Sequence, residues 1–380
     1  MKKIVIFIKL LFKLKFIFRT PKKHDIIILD QESEKALHNC TKGLDSFVLP
    51  TRINQIKEIY LSYAVLKFFC YHFFRGSPYT IYLASLIEVI RPKVLITIID
   101  NDLKTSSLAK ILSPKFYFMA IQNACRYDLL ESYYISKTKN LKKTKNNKLF
   151  IPNFFCFGDY EKDLYEKLNI NTHNFFPTGD LRWANFLDYL KTSNDDNVRY
   201  KSDICLISEY ASGDQGNKVH QNDTIDLLNT YPDIEKGFGK IVKYTIKFCI
   251  KNSMKLIFAC KRDKKKNLLA FNQEINFFKK NLTKEEFTYL EKNMLLKNVD
   301  NYSSQRAVAN SQVAVGITST LLRDKLSYGG KILSCNLTKH PAYKFPLHGI
   351  CSLDDCNYEQ FEKRLLELYL IDHKNFLTQI

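Results

Sequence analysis

The sequence predicts an α/β protein of two Rossmann-like, doubly wound domains, preceded by a basic amphipathic N-terminal helix. Three observations predict it. Short, near-continuous apolar runs recur (residues 93–99, 116–121, 204–207 and 255–260), as expected of parallel strands buried on both faces. Stretches of helical period separate those runs in both halves, which is the βα alternation of a parallel sheet. Residues 191–201 are polar, lack an apolar period and form the best linker between the halves.

Taken in order, residues 1–23 carry Lys2, Lys3, Lys9, Lys13, Lys15, Arg19, Lys22 and Lys23 with no acid. Residues 4–18 are otherwise apolar, but these lysines interrupt them well short of the ~20 apolar residues a spanning helix needs. No small-residue cleavage site follows. On a helix, Lys2, Lys9 and Lys13 fall near one face, the pattern of a basic helix lying at a membrane surface. A helix docked on the protein body is the alternative. After Pro21, residues 25–30 and 47–49 read as strands, and 55–74 and 79–90 as helices, the second stopped by Pro92. Strand 93–99 ends in Asp100-Asn101-Asp102, a helix covers 106–112, and strand 116–121 ends in Gln122-Asn123-Ala124-Cys125-Arg126. Strand 154–157 and the run 174–176 lead to Asp159 and to Thr178-Gly179-Asp180-Leu181-Arg182.

The second series opens with strand 204–207, which runs into Ser208-Glu209-Tyr210. Helix 239–251, strand 255–260 ending at Lys261-Arg262, and a helix through Ala309 follow. Residues 313–324 then read as a buried strand, a glycine turn at Gly316, the hydroxyls Thr318-Ser319-Thr320 and a first helical turn. A helix start exposes free N–H groups and a partial positive charge, so this turn is ready for an anion, or is an ordinary cap. Gly329-Gly330 and strand 331–336 close the unit, and 358–376 reads as one amphipathic helix. The implied segments are a basic helix (1–20), an N-terminal domain (21–190), a C-terminal domain (202–356), and a C-terminal helix (357–380) that can fold back on the N-terminal domain.

Composition narrows the class. With 380 residues, 45% hydrophobic and 26% charged, the chain is long enough for two cores and apolar enough to fold. Its formal charge of +19 suits an anionic membrane surface, a nucleotide-sugar or a nucleic acid. The 10 cysteines are scattered without a C-x-x-C pair, and Cys125, Cys156, Cys205, Cys249, Cys260 and Cys335 sit in apolar runs. That argues against a zinc site or disulfide framework, and for core thiols in a reducing cytosol. Walker, G-x-G-x-x-G, H-E-x-x-H and G-x-S-x-G motifs are absent, so P-loop NTPases, ordinary dehydrogenases, zincins and typical hydrolases lose weight.

In open parallel sheets, ligands bind beyond the carboxyl ends of the strands. The first half offers Asp100, Asp102, Gln122, Asn123, Arg126 and Asp180 there, and the second offers Glu209, Arg262, Thr318, Ser319 and Thr320. Carboxylates facing hydroxyls and a guanidinium are what sugar transfer from an activated nucleotide needs. A carboxylate takes the acceptor's proton, and cations and N–H dipoles stabilise the departing phosphate. Asp100 or Asp102 is the candidate base, each with helix or turn capping as its alternative. Glu209 is a third candidate acid or a holder of sugar hydroxyls. Arg262 can bind phosphate bidentately. Asp324 can reach a ribose or cap its own helix, and His220 can donate a proton to a sugar.

Here the chain resembles bacterial GT-B glycosyltransferases of surface-carbohydrate (capsule or lipopolysaccharide) biosynthesis. The resemblance rests on Ile98-Ile99-Asp100-Asn101, Ile121 to Arg126, Thr178-Gly179-Asp180, Gly316 to Asp324 and Lys331 to Asn336. It implies that Thr318, Ser319 and Thr320 hold the donor phosphate in the C-terminal domain, with Asp100 or Asp102 near the acceptor. Related transferases tend to show Gly where this chain has Ala124, and Glu where it has Asp324. A paired hydroxyl motif is shared with CMP-sugar transferases, but their His-Pro pair precedes this turn, whereas His340-Pro341 follows it. UDP- and CMP-linked donors are therefore not separated.

The expected function is transfer of a sugar from a nucleotide-sugar to a lipid-linked or growing surface polysaccharide. No cofactor and no bound metal are implied. The protein is expected in the cytoplasm, peripheral at the inner face of the cell membrane through residues 1–23. A polyol-phosphate transferase or sugar-nucleotide epimerase on the same fold is the nearest rival. A non-catalytic nucleic-acid binder is a rival of another class. It fares poorly, because the aromatics lie in core-like runs and no basic RNA-binding motif interleaves with them.

Overall fold

The computed structural model describes residues 14–52, 55–100, 102–125, 149–167, 170–192, 202–210, 234–295 and 302–380. The chain divides into two compact units, Met1–Cys125 with Tyr134–Asn185, and Arg126–Tyr133 with Phe186–Ile380. The linker read at 191–201, apart from the last residues of a helix, lies outside the described residues.

The first unit holds strands β1 (Lys15–Ile17), β2 (Ile26–Leu29), β3 (Ser46–Leu49), β4 (Glu58–Tyr60), β5 (Val94–Thr97), β6 (Tyr117–Ile121), β7 (Asn153–Cys156) and β8 (Asn174–Pro177). Its helices are α1 (Gln31–Thr41), α2 (Tyr63–Tyr71), α3 (Pro78–Ile90), α4 (Leu103–Leu112), α5 (Asp159–Lys167) and α6 (Leu181–Thr192). Six strands form one parallel sheet in the order β3-β2-β5-β6-β7-β8. The order reverses between β2 and β5, the switch point where crossovers leave in opposite directions and open a crevice. Strand alternation sends Ile27 and Leu29 into one buried cluster with Leu95, Phe118 and α3, and Ile28 into another with Leu37 and Ile98. Both faces are thus covered, which is why these strands read as unbroken apolar runs. Helix α3 starts where Ser77 accepts the Thr80 N–H and Pro78 supplies its fixed φ.

The second unit holds β9 (Ser202–Ile207), β10 (Leu256–Ala259), β11 (Met294–Leu295), β12 (Ser311–Gly316), β13 (Lys331–Asn336) and β14 (Ser352–Asp354). Its helices are α7 (Ile234–Lys251), α8 (Leu268–Asn281), α9 (Lys284–Lys292), α10 (Ser303–Ala309), α11 (Thr320–Ser327), α12 (Tyr358–Leu370) and α13 (His373–Leu377). The parallel sheet runs β11-β10-β9-β12-β13-β14. In order of appearance that is 3-2-1-4-5-6, the Rossmann order, with its switch point between β9 and β12. The α/β class of two Rossmann-like units is therefore as the sequence predicts.

Three local expectations change. The N-terminal helix does not extend over Lys15–Ile17, which is β1 and pairs in parallel with β4; residues 1–13 lie outside the described residues. The predicted helix 55–74 is correspondingly shortened. Residues 58–60 are taken by β4, and Ser62 caps the later start of α2. The C-terminal helix is two, broken where Asp372 caps α13. It belongs to the second unit, where Phe361, Leu365, Leu368 and Phe376 are buried in the core. Cys125, Cys156, Cys205, Cys249, Cys260 and Cys335 are buried free thiols, as their apolar surroundings predict. Among the described residues, no helix is long and apolar enough to cross a membrane.

Candidate functional site

At the second unit's switch point, the turn after β12 meets the residue two positions beyond β9. The Glu209 carboxylate sits on that turn. Its Oε1 accepts the N–H groups of Ile317 at 2.5 Å, Thr318 at 3.0 Å and Ser319 at 3.2 Å, and its Oε2 accepts the Thr318 hydroxyl at 3.3 Å. These donors belong to the turn that leads into α11, whose dipole adds to their positive field. Gly316 is required by this approach, since a Cβ there would lie 2.8 Å from Glu209 Oε1. Burial pushes the Glu209 carboxyl above the ordinary glutamate value, against the pull of the three N–H groups and of nearby Lys261.

The remaining hydroxyls differ in their freedom. Ser319 caps α11 through a 3.3 Å bond from Leu321 N, and it and Thr320 are half-buried. Thr318 and Asp324 are buried. The Ser334 hydroxyl on β13 donates to Ile317 O and fixes the other side of the turn. A second buried carboxylate, Glu274 on α8, braces the next crevice wall. It accepts the Ser208 hydroxyl at 2.5 Å, Lys261 N at 3.0 Å and Arg262 N at 2.9 Å. Arg262 is thereby placed at the carboxyl end of β10, beside the switch point.

The first unit places its candidates differently. Asp100 lies just beyond β5, is buried, and accepts the Tyr165 hydroxyl at 2.7 Å. Asp102 is the N-cap of α4 and accepts both the Thr105 N–H (3.2 Å) and hydroxyl (3.3 Å), which is the capping alternative. Gln122 is buried as a strut between strand ends, accepting from Phe157 N at 2.9 Å and donating to Ala124 O at 3.0 Å. Asn123 is half-buried, and its Oδ1 has no partner among the described residues. Asp180 turns on the Arg182 N–H at 2.6 Å at the start of α6. Arg126 and His220 lie outside the described residues.

Two acidic positions escape sequence reasoning. Asp30, directly after β2 at the first switch point, is fully buried with φ 78° and ψ 145°, a region that essentially only glycine adopts freely. Its Oδ1 accepts Glu32 N at 2.9 Å, and its Oδ2 takes the Thr51 hydroxyl (3.2 Å) and Arg52 Nε (3.1 Å). Arg52 also forks onto Glu32 at 3.2 and 3.3 Å. An acid ending the first strand was the available signal. Glu274 gives none, since it is one polar residue within an amphipathic helix.

Among the described residues, no group of three or more His, Cys, Asp or Glu is arranged to hold a metal ion. Residues 119–352 match the family model described as "putative O-antigen biosynthesis protein". None of the curated proteins matches the sequence. Among solved structures, the chain is similar to UDP-GlcNAc 2-epimerase from Neisseria meningitidis bound to UDP-GlcNAc, with a TM-score of 0.53 and 12% identity over 97% of this chain and 95% of that one. It is similar to the Methanocaldococcus jannaschii UDP-GlcNAc 2-epimerase in complex with UDP-GlcNAc and UDP, with a TM-score of 0.50 and 12% identity over 92% and 93%. A glycosyltransferase from Rickettsia africae aligns over 94% and 93% with a TM-score of 0.43 and 8% identity. At such identities the likeness to the two epimerases shows the fold alone.

Proposed function

We propose, from the premise that the chain belongs to the O-antigen biosynthesis family, that it is a glycosyltransferase of surface-carbohydrate synthesis. It moves a sugar from a nucleotide-sugar to a lipid-linked or growing polysaccharide. The observation that carries this reading is the Glu209 carboxylate on the three N–H groups after β12. The turn is an anion site, and in the free protein the anion is supplied by the chain itself. The donor's phosphates displace Glu209, take those N–H groups and add the hydroxyls of Ser319 and Thr320. Arg262 supplies the countercharge as the phosphate leaves, so this reading needs no bound metal. Asp100 is the acid assigned to the acceptor's proton, oriented by Tyr165, while Asp102 is committed to its helix. Residues 1–23 hold the protein at the inner membrane surface.

A UDP-sugar is the first donor to test, in keeping with the ligand of the two epimerase structures. The same two structures motivate the second reading, a sugar-nucleotide epimerase. A thermal-shift panel of UDP-, CMP-, GDP- and CDP-linked sugars is decisive, since a ligand that binds the native state raises its Tm. One class should stabilise the protein, and Ser319→Ala with Thr320→Ala should weaken it about tenfold, the loss of roughly one good hydrogen bond to a charged group. No response from folded protein, or unchanged affinity in the double variant, would reject the assignment. Epimerised donor in the absence of acceptor would favour the second reading.

A further inference from the structure

We propose that β1, α2 and the turn after α2 form a docking face for an anionic lipid bilayer. This deepens the membrane-surface reading above, and it stands whether or not the transferase reading does. A surface helix ordinarily turns its polar side outward. Helix α2 is apolar on its outer side as well as its inner one. Val65 and the Ser62 cap are buried on the inner side, whereas Tyr63 (84% exposed) and Leu66 face solvent, with Lys67 and Cys70 on the same outer stripe. The chain then turns through Phe73 and Phe74, the latter 96% exposed. Strand β1 extends the patch. Ile17 is buried and pairs with Tyr60, and Leu61 N donates to Ile17 O at 2.8 Å, so the flanking Phe16 and Phe18 lie beside the segment that leads into α2. Six large apolar side chains exposed along one connected stretch, from β1 past the start of α2 to the turn at its end, mark an interaction surface rather than scattered exposure.

The charge pattern selects the partner. Residues 59–87 contain no acid, nor do residues 1–24. Glu58, at the edge, is paired with Lys15 at 3.4 Å. Arg19, Lys67 and Arg75 are exposed among the aromatics, and the Arg75 guanidinium lies 4.9 Å from the centre of the Tyr71 ring. Rings interleaved with cations match the headgroup layer of a bilayer, where aromatics settle at the interface and Lys and Arg reach lipid phosphates. A second copy of the chain would set cation against cation in a molecule of formal charge +19, which disfavours self-association through this face.

The test is co-sedimentation of the full-length protein with extruded vesicles. Phosphatidylglycerol–phosphatidylethanolamine vesicles are compared with phosphatidylcholine vesicles. The wild type should bind the anionic vesicles at least about tenfold more tightly, less so as salt rises. F73S/F74S and K67E/R75E should each lose about tenfold, because interfacial binding scales with buried apolar area and with charge. F16S/F18S serves if F73S/F74S fails to fold, as judged by circular dichroism. Vesicle binding equal to wild type in these variants overturns the proposal. So does binding that survives in them and is lost in K9E/K13E, which would move docking to residues 1–13. A variant that changes the sedimenting mass in solution but not vesicle binding makes the face a protein interface, and likewise overturns it. Nucleotide-induced thermal shifts in the same variants report the transferase reading separately.

Discussion

Replacing Glu209 by Gln tests whether that carboxylate competes with a ligand or merely shapes its turn. The Gln Oε1 can still accept the three N–H groups at 2.5, 3.0 and 3.2 Å, and its amide can donate to the Thr318 hydroxyl now held at 3.3 Å, while the second, shared bond from Thr318 N to Oε2 at 3.1 Å is given up. What is lost is charge assistance, about 1 kcal/mol or somewhat more in total. What is regained is the cost of burying a charge, and the raised Glu209 carboxyl says that this cost outweighs the help of its donors. Glu209→Gln should therefore fold with stability within about 1 kcal/mol of wild type. Glu209→Ala, which orphans the donors, should lose about 1–3 kcal/mol. Donor affinity separates the two roles. A competitor removed should tighten nucleotide-sugar binding about tenfold, or 1.4 kcal/mol, in calorimetric titration. The pH dependence has a definite sign. A carboxyl raised by folding favours its neutral form, so its stabilising contribution is full below the unfolded value and lost as pH rises through the folded one. Acidification thus neutralises the wild-type competitor, and donor affinity should rise as pH falls through the Glu209 titration while E209Q stays flat. Weaker donor binding in E209Q, with unchanged pH dependence, would refute the competition and make Glu209 a brace.

Three further predictions concern buried groups. Lys325 is buried, donates to Val308 O and Ser311 O at 2.7 Å each, and is lowered by burial from 10.5 to about 8. The unfolded chain holds that proton longer, so wild-type stability should climb relative to Lys325→Met between pH 8 and 10.5, by up to about 3 kcal/mol, and parallel denaturation curves would disprove it. Glu274→Ala, which strands the N–H groups of Lys261 and Arg262, should cost about 2–5 kcal/mol in urea unfolding of the second unit, with Glu274→Gln recovering much of it. At Asp30, with φ 78°, Ala should cost more than Gly by about 1–2 kcal/mol, since both lose the cap to Glu32 but only Gly relaxes the backbone; equal losses would remove the strain argument.

The sheets were legible because burial on both faces leaves a plain mark. Ile27 and Ile28 point to opposite clusters, and both positions must be apolar. The pair β1–β4 was not, because three residues set by a partner over 40 positions away are too few to show a period of two against a lysine-rich apolar segment. At the site, the hydroxyl turn was readable as an anion site or a cap, and it proves to combine both, with Ser319 capping while Glu209 occupies the N–H groups. That occupation was invisible in the sequence. Glu209 and Ile317 are brought together by the pairing of β9 with β12, a fact of strand order rather than of local pattern. For Asp102 the local pattern offered a base or a cap, and its side chain accepts the Thr105 N–H as the cap of α4.

Strand order also explains why the two units carry a carboxylate at the same topological place. Asp30 follows the first strand of the main sheet in the first unit, Glu209 follows it in the second, and both lie at the switch point where a crevice opens above the sheet. N–H dipoles converge there, and without a ligand a neighbouring carboxylate is the natural anion to satisfy them. The two are not equivalent. Asp30 is locked by Arg52, by the Thr51 hydroxyl and by the cap of α1, so its charge is neutralised by a full countercharge within hydrogen-bond reach. Glu209 is balanced by the dipoles of three N–H groups and by the pull of Lys261, and burial holds it above its ordinary value. An incoming diphosphate would have to break an ion pair in the first unit, whereas in the site proposed for the second it would take over N–H groups now held by a buried carboxylate. That difference in what must be displaced, rather than the hydroxyl triplet alone, is the physical argument behind the proposal that the nucleotide binds the second unit.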